Sequence, residues 1–183
     1  MEHNFKNIGI EVPEVLLPDK KVNMRKWAVI ACDQYTSEPE YWQEVADFVG
    51  DEPSMLNMVL PEVYLESEDF ADRIKGICAN MERYLAEGVM EESAPAYIYV
   101  ERTQAAGMVR KGIVGKIDLE HYDYSVGSTS AVRATEGTIL ERIPPRVRVR
   151  ENAPIESPHI MILIDDETRS IIEPLADAKA DFK

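Results

Sequence analysis

Between Phe70 and Leu85 the apolar residues Phe70, Ile74, Ile77, Cys78, Met81, Tyr84 and Leu85 recur every three or four positions. That period places them on one face of a helix running from Ser67 to about Glu87, with Glu68 and Asp69 at its positive end and Gly88 as its stop. Cys78 falls four residues after Ile74, on the side to be buried, so it reads as packing rather than chemistry. A second amphipathic stripe, Tyr41, Trp42, Val45, Phe48 and Val49, is preceded by Ser37 as cap, Pro39 in the first turn and Glu40 at the capping-box position. Gly50 ends it. Two apolar runs have no such period. Trp27–Cys32 and His159–Ile164 are continuous, and their length and β-branched content predict strands buried on both faces. On that reading Ile162 is a core residue. Alternation over 96–119, broken at Gln104-Ala105-Ala106-Gly107, predicts an antiparallel hairpin.

Weaker signals surround these elements. Ile8–Val12 allows a short strand, and residues 54–65, interrupted by Pro61, allow a short strand or an extended link. Thr138 is placed to cap a short helix through Ile143. Beyond Pro144-Pro145, Val147 and Val149 alternate with Arg146, Arg148 and Arg150 as in a strand, while the paired prolines equally suit a helix start. The residues after 166 offer little to bury. The expected architecture is α+β: a mixed sheet with central buried strands, a β-hairpin and flanking amphipathic helices, in a single domain over 1–183.

Charge changes the picture at one place. The chain carries −14 overall, yet residues 133–151 hold five arginines against three glutamates. A planar guanidinium grips carboxylates and phosphates in two-point contacts, so this stretch is either an anion site or a set of internal ties. The small-residue loop Gly127-Ser128-Thr129-Ser130 just before it suits backbone N–H donation to an anion. It matches neither GxxxxGK[ST] nor GxGxxG. Candidate ligand contacts are therefore Ser128, Thr129, Arg133, Thr135 and Arg142, together with Gln34 and Tyr35 at the end of the first apolar run. Candidate catalytic carboxylates are Asp33, at that same end, and Glu136, placed between Arg133 and Arg142 as a general base or a bridge. Asp165 and Asp166 follow the second apolar run and offer hard oxygen ligands for Mg²⁺, or form an ordinary polar turn. Cys32 stands beside Asp33, whose charge raises a thiol pKa and argues against a nucleophile. His159 reads as structural.

The acidic balance, with a pI near 4.6, disfavours general nucleic-acid binding and attachment to an anionic membrane surface. No apolar run approaches a membrane span, and the first fifteen residues lack a secretory apolar region. Two cysteines without metal or disulfide spacing suit a reducing cytoplasm.

The runs KWAVIACDQYTSEPEYW (26–42), LPEVYLE (60–66), RATEGTILERIPPRVRVRENAPIE (133–156) and PHIMILIDD (158–166) are distinctive. Through them the chain resembles the bacterial and archaeal family known as domain of unknown function 1015. Members of that family are longer, and further on carry a Gly-Asn-His-Ser or Asp-Gly-His-His-Arg run with no counterpart around His3, His121 or His159. The resemblance implies that this chain is an N-terminal portion whose site is completed by its own C-terminal half. The Asp-Gly-His-His-Arg run is in turn similar to one in the free-serine kinases of the ParB/sulfiredoxin-like superfamily. By analogy that implies a phosphate- or nucleotide-handling protein acting on a small metabolite, with ATP or ADP and Mg²⁺ as its cofactors. The alternative is a non-catalytic module that binds an anionic metabolite or a partner protein.

Overall fold

The computed structural model describes residues 9–135, 137, 139–157 and 159–180. In chain order the elements are β1 (Ile10–Glu11), β2 (Leu16–Pro18), α1 (Met24–Trp27), α2 (Pro39–Val49), α3 (Phe70–Ala86), β3 (Met90–Glu92), β4 (Ile98–Thr103), β5 (Val109–Val114), β6 (Lys116–Ile117), α4 (Ile143–Arg150) and α5 (Glu173–Ala176). Short 3₁₀ turns at Met55–Met58, Glu62–Tyr64, Leu119–His121 and Leu140–Arg142 connect them. The protein is α+β, and its strands form two-stranded pairs: β1 with β6, β2 with β3, β4 with β5.

The chain folds as two compact units. The first comprises the described residues of Met1–Val15, Glu92–Gly137 and Ile162–Lys183. The second comprises Leu16–Glu91 and those of Thr138–Met161.

The first unit is built on the expected hairpin. β4 and β5 pair from Ile98↔Val114 to Thr103↔Val109. Gly107, at φ 81°, closes the turn through its N–H to the Gln104 carbonyl at 2.8 Å. The half of β4 near the turn is exposed. In β1–β6 the Ile10↔Ile117 pair is extended by Asp118 N–H on the Gly9 carbonyl at 2.7 Å. Gly9 has φ 71°, and a Cβ there would lie 2.9 Å from the Cβ of His121. Both facts require glycine.

The second unit carries the core: Trp27, Met58, Leu60, Ile77, Met81, Tyr84, Met90 and Ile155. Helix α3 supplies three of these from the stripe read in the sequence. Cys78 is half-buried and Leu85 exposed, so the buried face is narrower than the stripe. Helix α2 buries Trp42 and Val49 but leaves Phe48 exposed. Its N-cap is Glu38, with no side-chain cap bond, so Ser37 does not cap it and Pro39 at its first position sets the start. Tyr84 is fully buried, and its hydroxyl is a polar hub. It accepts from Ser54 N–H at 3.0 Å and from Asn57 Nδ2 at 2.9 Å.

Two expectations fail here. Trp27–Cys32 is not a strand: Asn23 caps α1 through the Arg25 N–H, Trp27 ends that helix buried, and 28–32 continues without regular structure. Residues 159–164 are likewise not a strand, and Ile160, Met161, Ile162, Leu163 and Ile164 are all exposed, Ile162 by 53%. No central buried strand is present among the described residues. A continuous apolar run carries no period, so it states that burial would be favourable without specifying a sheet to provide it. Residues 54–65 take the 3₁₀ turns named above, and after Pro144-Pro145 the chain is helical.

Candidate functional site

The site is a cavity of about 330 Å³ in the second unit. Three segments build its polar side. Residues 31–33 follow α1 and turn at Cys32–Asp33, where Gln34 N–H donates to the Ala31 carbonyl at 3.0 Å; the Cys32 carbonyl accepts from Glu62 N–H at 2.8 Å, which fastens this segment to the 3₁₀ turn beginning at Glu62. Helix α4 has prolines at its first positions, where a missing N–H costs nothing. It therefore presents Arg146, Val149 and Arg150 at i, i+3 and i+4 to the cavity, while Val147 on the other side is exposed. After the helix, Ile155, Ser157 and His159 complete the lining. The apolar floor is Met58, Leu60, Met81 and Ile155.

The charges are arranged in pairs. Arg146 donates from Nη2 to the Glu62 carboxylate, whose side chain is only 16% exposed. Arg150 Nη1 meets Glu156 at 3.2 Å on the solvent side. Ser157 is 9% exposed, and its hydroxyl has no hydrogen-bond partner among the described residues. A buried hydroxyl left in this way costs free energy until something meets it. Burial pushes the Cys32 thiol up from its ordinary pKa, and the negative charges of Glu62 and Asp33 push it further, against a smaller opposing pull from its own backbone hydrogen bond and Arg150. Cys32 is thus a protonated thiol at neutral pH and a poor nucleophile.

Of the residues singled out from sequence, Asp33 lines this cavity. Gln34 turns its amide to Asp33 at 3.3 Å. Tyr35, at φ 51°, stacks on Tyr41 with ring centroids 4.0 Å apart, and its carbonyl accepts from Trp42 Nε1 at 3.3 Å. Its contacts are structural. Arg142 is exposed and forms the N-cap position of α4. Ser128, Thr129, Arg133 and Thr135 belong to the first unit. There the loop binds itself: Ser128 Oγ accepts from Ser130 N–H at 3.1 Å, and Ser130 Oγ donates to the His121 carbonyl at 2.7 Å. Asp123 accepts from Ser125 N–H at 2.9 Å. Hydrogen bonds from Ser125 and then Ser128 hold the Asp123 carboxyl below its usual range. Arg133 and Thr135 are exposed. Glu136, the other candidate carboxylate, and Thr138 lie outside the described residues. Asp166 is likewise engaged within its own turn, accepting from Thr168 Oγ1 at 2.8 Å, Ser170 N–H at 2.7 Å and Ile171 N–H at 2.8 Å. Those bonds, Thr168 first, hold its carboxyl low. Asp165 is exposed, and among the described residues no group of three or more His, Cys, Asp or Glu side chains is placed to hold a metal ion.

Sequence reasoning missed Glu62, Arg146, Arg150 and Ser157 as site residues. The signal for the two arginines was their i, i+4 spacing, which shares a face only once the helical reading of Pro144-Pro145 is taken.

The molecule so described is an α+β protein whose second unit opens a cavity with two arginines above an apolar floor. The chain belongs to the family described as Protein of unknown function (DUF1015), whose model matches residues 16–183. Comparisons with curated proteins and with solved structures find no match. Among the described residues no helix is long and apolar enough to cross a membrane.

Proposed function

We propose that the cavity of the second unit binds a small anionic metabolite, with Arg150 as its cationic contact, Arg146 beside it in the wall on Glu62, and the Met58–Leu60–Met81–Ile155 floor against its apolar part. The observation that carries this reading is the buried Ser157 hydroxyl, unpartnered in a cavity that also receives two guanidinium groups. Ligand pockets combine an apolar lining with a few convergent polar groups in this manner. In a chain of −14, two arginines on one helix face also concentrate an anion that the overall field repels. Both cysteines are free, which supports a reducing cytoplasmic setting.

The test is calorimetry on the whole chain with phosphate and small carboxylates, comparing the unsubstituted protein with Arg150→Ala. Arg150 faces a largely exposed partner, so its loss should leave folding intact and weaken anion binding about tenfold or more. Unchanged affinity in the variant would place the site elsewhere.

A catalytic reading is favoured by one observation, the presence of Asp33 in the same cavity. In it the protein is a small-molecule kinase completed by its C-terminal half, Asp33 takes the proton of the substrate hydroxyl, and ATP with Mg²⁺ supplies the phosphoryl group. ATP turnover by the full-length protein, abolished by Asp33→Asn, would support it. Turnover that survives the substitution would remove Asp33 from the chemistry.

A further inference from the structure

The cavity has both signs of charge in equal number: Asp33 and Glu62 against Arg146 and Arg150. Arg146 and Glu62 are committed to each other, and the Glu62 side chain is largely buried, so that pair is part of the wall. Arg150 and Asp33 remain. Arg150 has Glu156 at 3.2 Å, but the Glu156 carboxylate is 69% exposed and does not line the cavity. A solvent-side pair of this kind is worth about 0–1 kcal/mol and exchanges readily for a better-placed carboxylate. Among the described residues, Asp33 receives only the Gln34 amide, at 3.3 Å. Both line the same cavity as Cys32.

We infer that the ligand carries both charges itself. The geometry points to a free α-amino acid with an apolar side chain: its carboxylate on Arg150, its ammonium on Asp33, and its side chain on the floor. This deepens the anion-binding reading and rests on it. A phosphate dianion or polyphosphate would meet Asp33 and Glu62 as like charges, whereas a zwitterion leaves no charge unmatched. The volume, about 330 Å³, is at the small end of the roughly 300–1,000 Å³ range of ligand pockets and suits one small molecule. Ser157 then completes the site, its hydroxyl accepting from the ammonium or donating to the carboxylate.

The experiment compares L-leucine, L-methionine and L-valine with two halves of leucine: 4-methylpentanoate, which lacks the ammonium, and 3-methylbutylamine, which lacks the carboxylate. Inorganic phosphate is the sixth probe, and calorimetry with thermal melts on the whole chain is the readout. At least one amino acid should bind about tenfold or more tighter than either half. Asp33→Asn, at an exposed position, should remove the advantage of leucine over 4-methylpentanoate when both are measured on that variant. Arg150→Ala should weaken both. If 4-methylpentanoate or phosphate binds as tightly as every amino acid tested, the site takes simple anions and the zwitterionic assignment is overturned. If none of the probes binds, the assignment and the anion-binding reading both fall.

Discussion

Tyr84→Phe removes one oxygen atom from the centre of the second unit and nothing else. The ring is fully buried, and its packing beside Trp27, with centroids 6.0 Å apart, is kept by phenylalanine. What is lost is the acceptor for Ser54 N–H at 3.0 Å and Asn57 Nδ2 at 2.9 Å. Ser54 is itself fully buried, so its N–H has no water to turn to, and a buried donor left unpaired costs about 1–3 kcal/mol. Asn57 is part-buried and loses an ordinary hydrogen bond, about 1 kcal/mol net. The expected destabilisation is therefore about 2–4 kcal/mol, well above what the loss of a surface hydroxyl would give. Urea unfolding followed by tryptophan fluorescence suits the measurement, because Trp27 is beside the substituted ring. The midpoint should fall with an unchanged slope. A loss below about 0.5 kcal/mol would mean that Ser54 N–H is not dependent on this hydroxyl, and the hub would be refuted.

The second apolar run gives a contrasting pair: Ile162→Ala, at a half-exposed side chain, should cost less than about 1 kcal/mol, whereas Met81→Ala in the core should cost about 2–5 kcal/mol. A large effect at Ile162 in denaturant melts would restore a buried role for 159–164. Cys32 yields a pH prediction. Its folded pKa is raised, so the protonated thiol contributes stability that is present below the ordinary thiol pKa and lost as pH rises through the folded value. In a Cys78→Ser background, iodoacetamide alkylation of the native protein should reach half its limiting rate at a higher pH than in urea. Coincident profiles would contradict the burial and the two neighbouring carboxylates.

Which parts of this molecule were legible from sequence follows from how local each signal is. Helices α2 and α3 announce themselves because a 3.6-residue period needs only the segment's own residues to be read, and β4–β5 because alternation and Gly107 are both within the hairpin. The runs at 27–32 and 159–164 depended on partners far away in the chain. Trp27 found its burial at the end of a four-residue helix, and Cys32 took one backbone bond, from Glu62, in place of a sheet. The site shifted for the same reason. Charge alone drew attention to the arginine-rich stretch, and the stretch does supply the cavity's cations, but these are Arg146 and Arg150, while Arg133 and Arg142 do not line it. The difference is one conformational decision. As a strand, residues 146–150 would place Arg146, Arg148 and Arg150 on one face; as a helix, they separate Arg148 from the other two. Pro144 and Pro145 at the helix start settle that decision, and with it which arginines share the cavity with Asp33. Asp33, picked out from sequence as the polar residue that ends an apolar run, lines the cavity although that run is not a strand. Ser157 was out of reach, since a serine becomes informative only when the fold buries its hydroxyl without a partner.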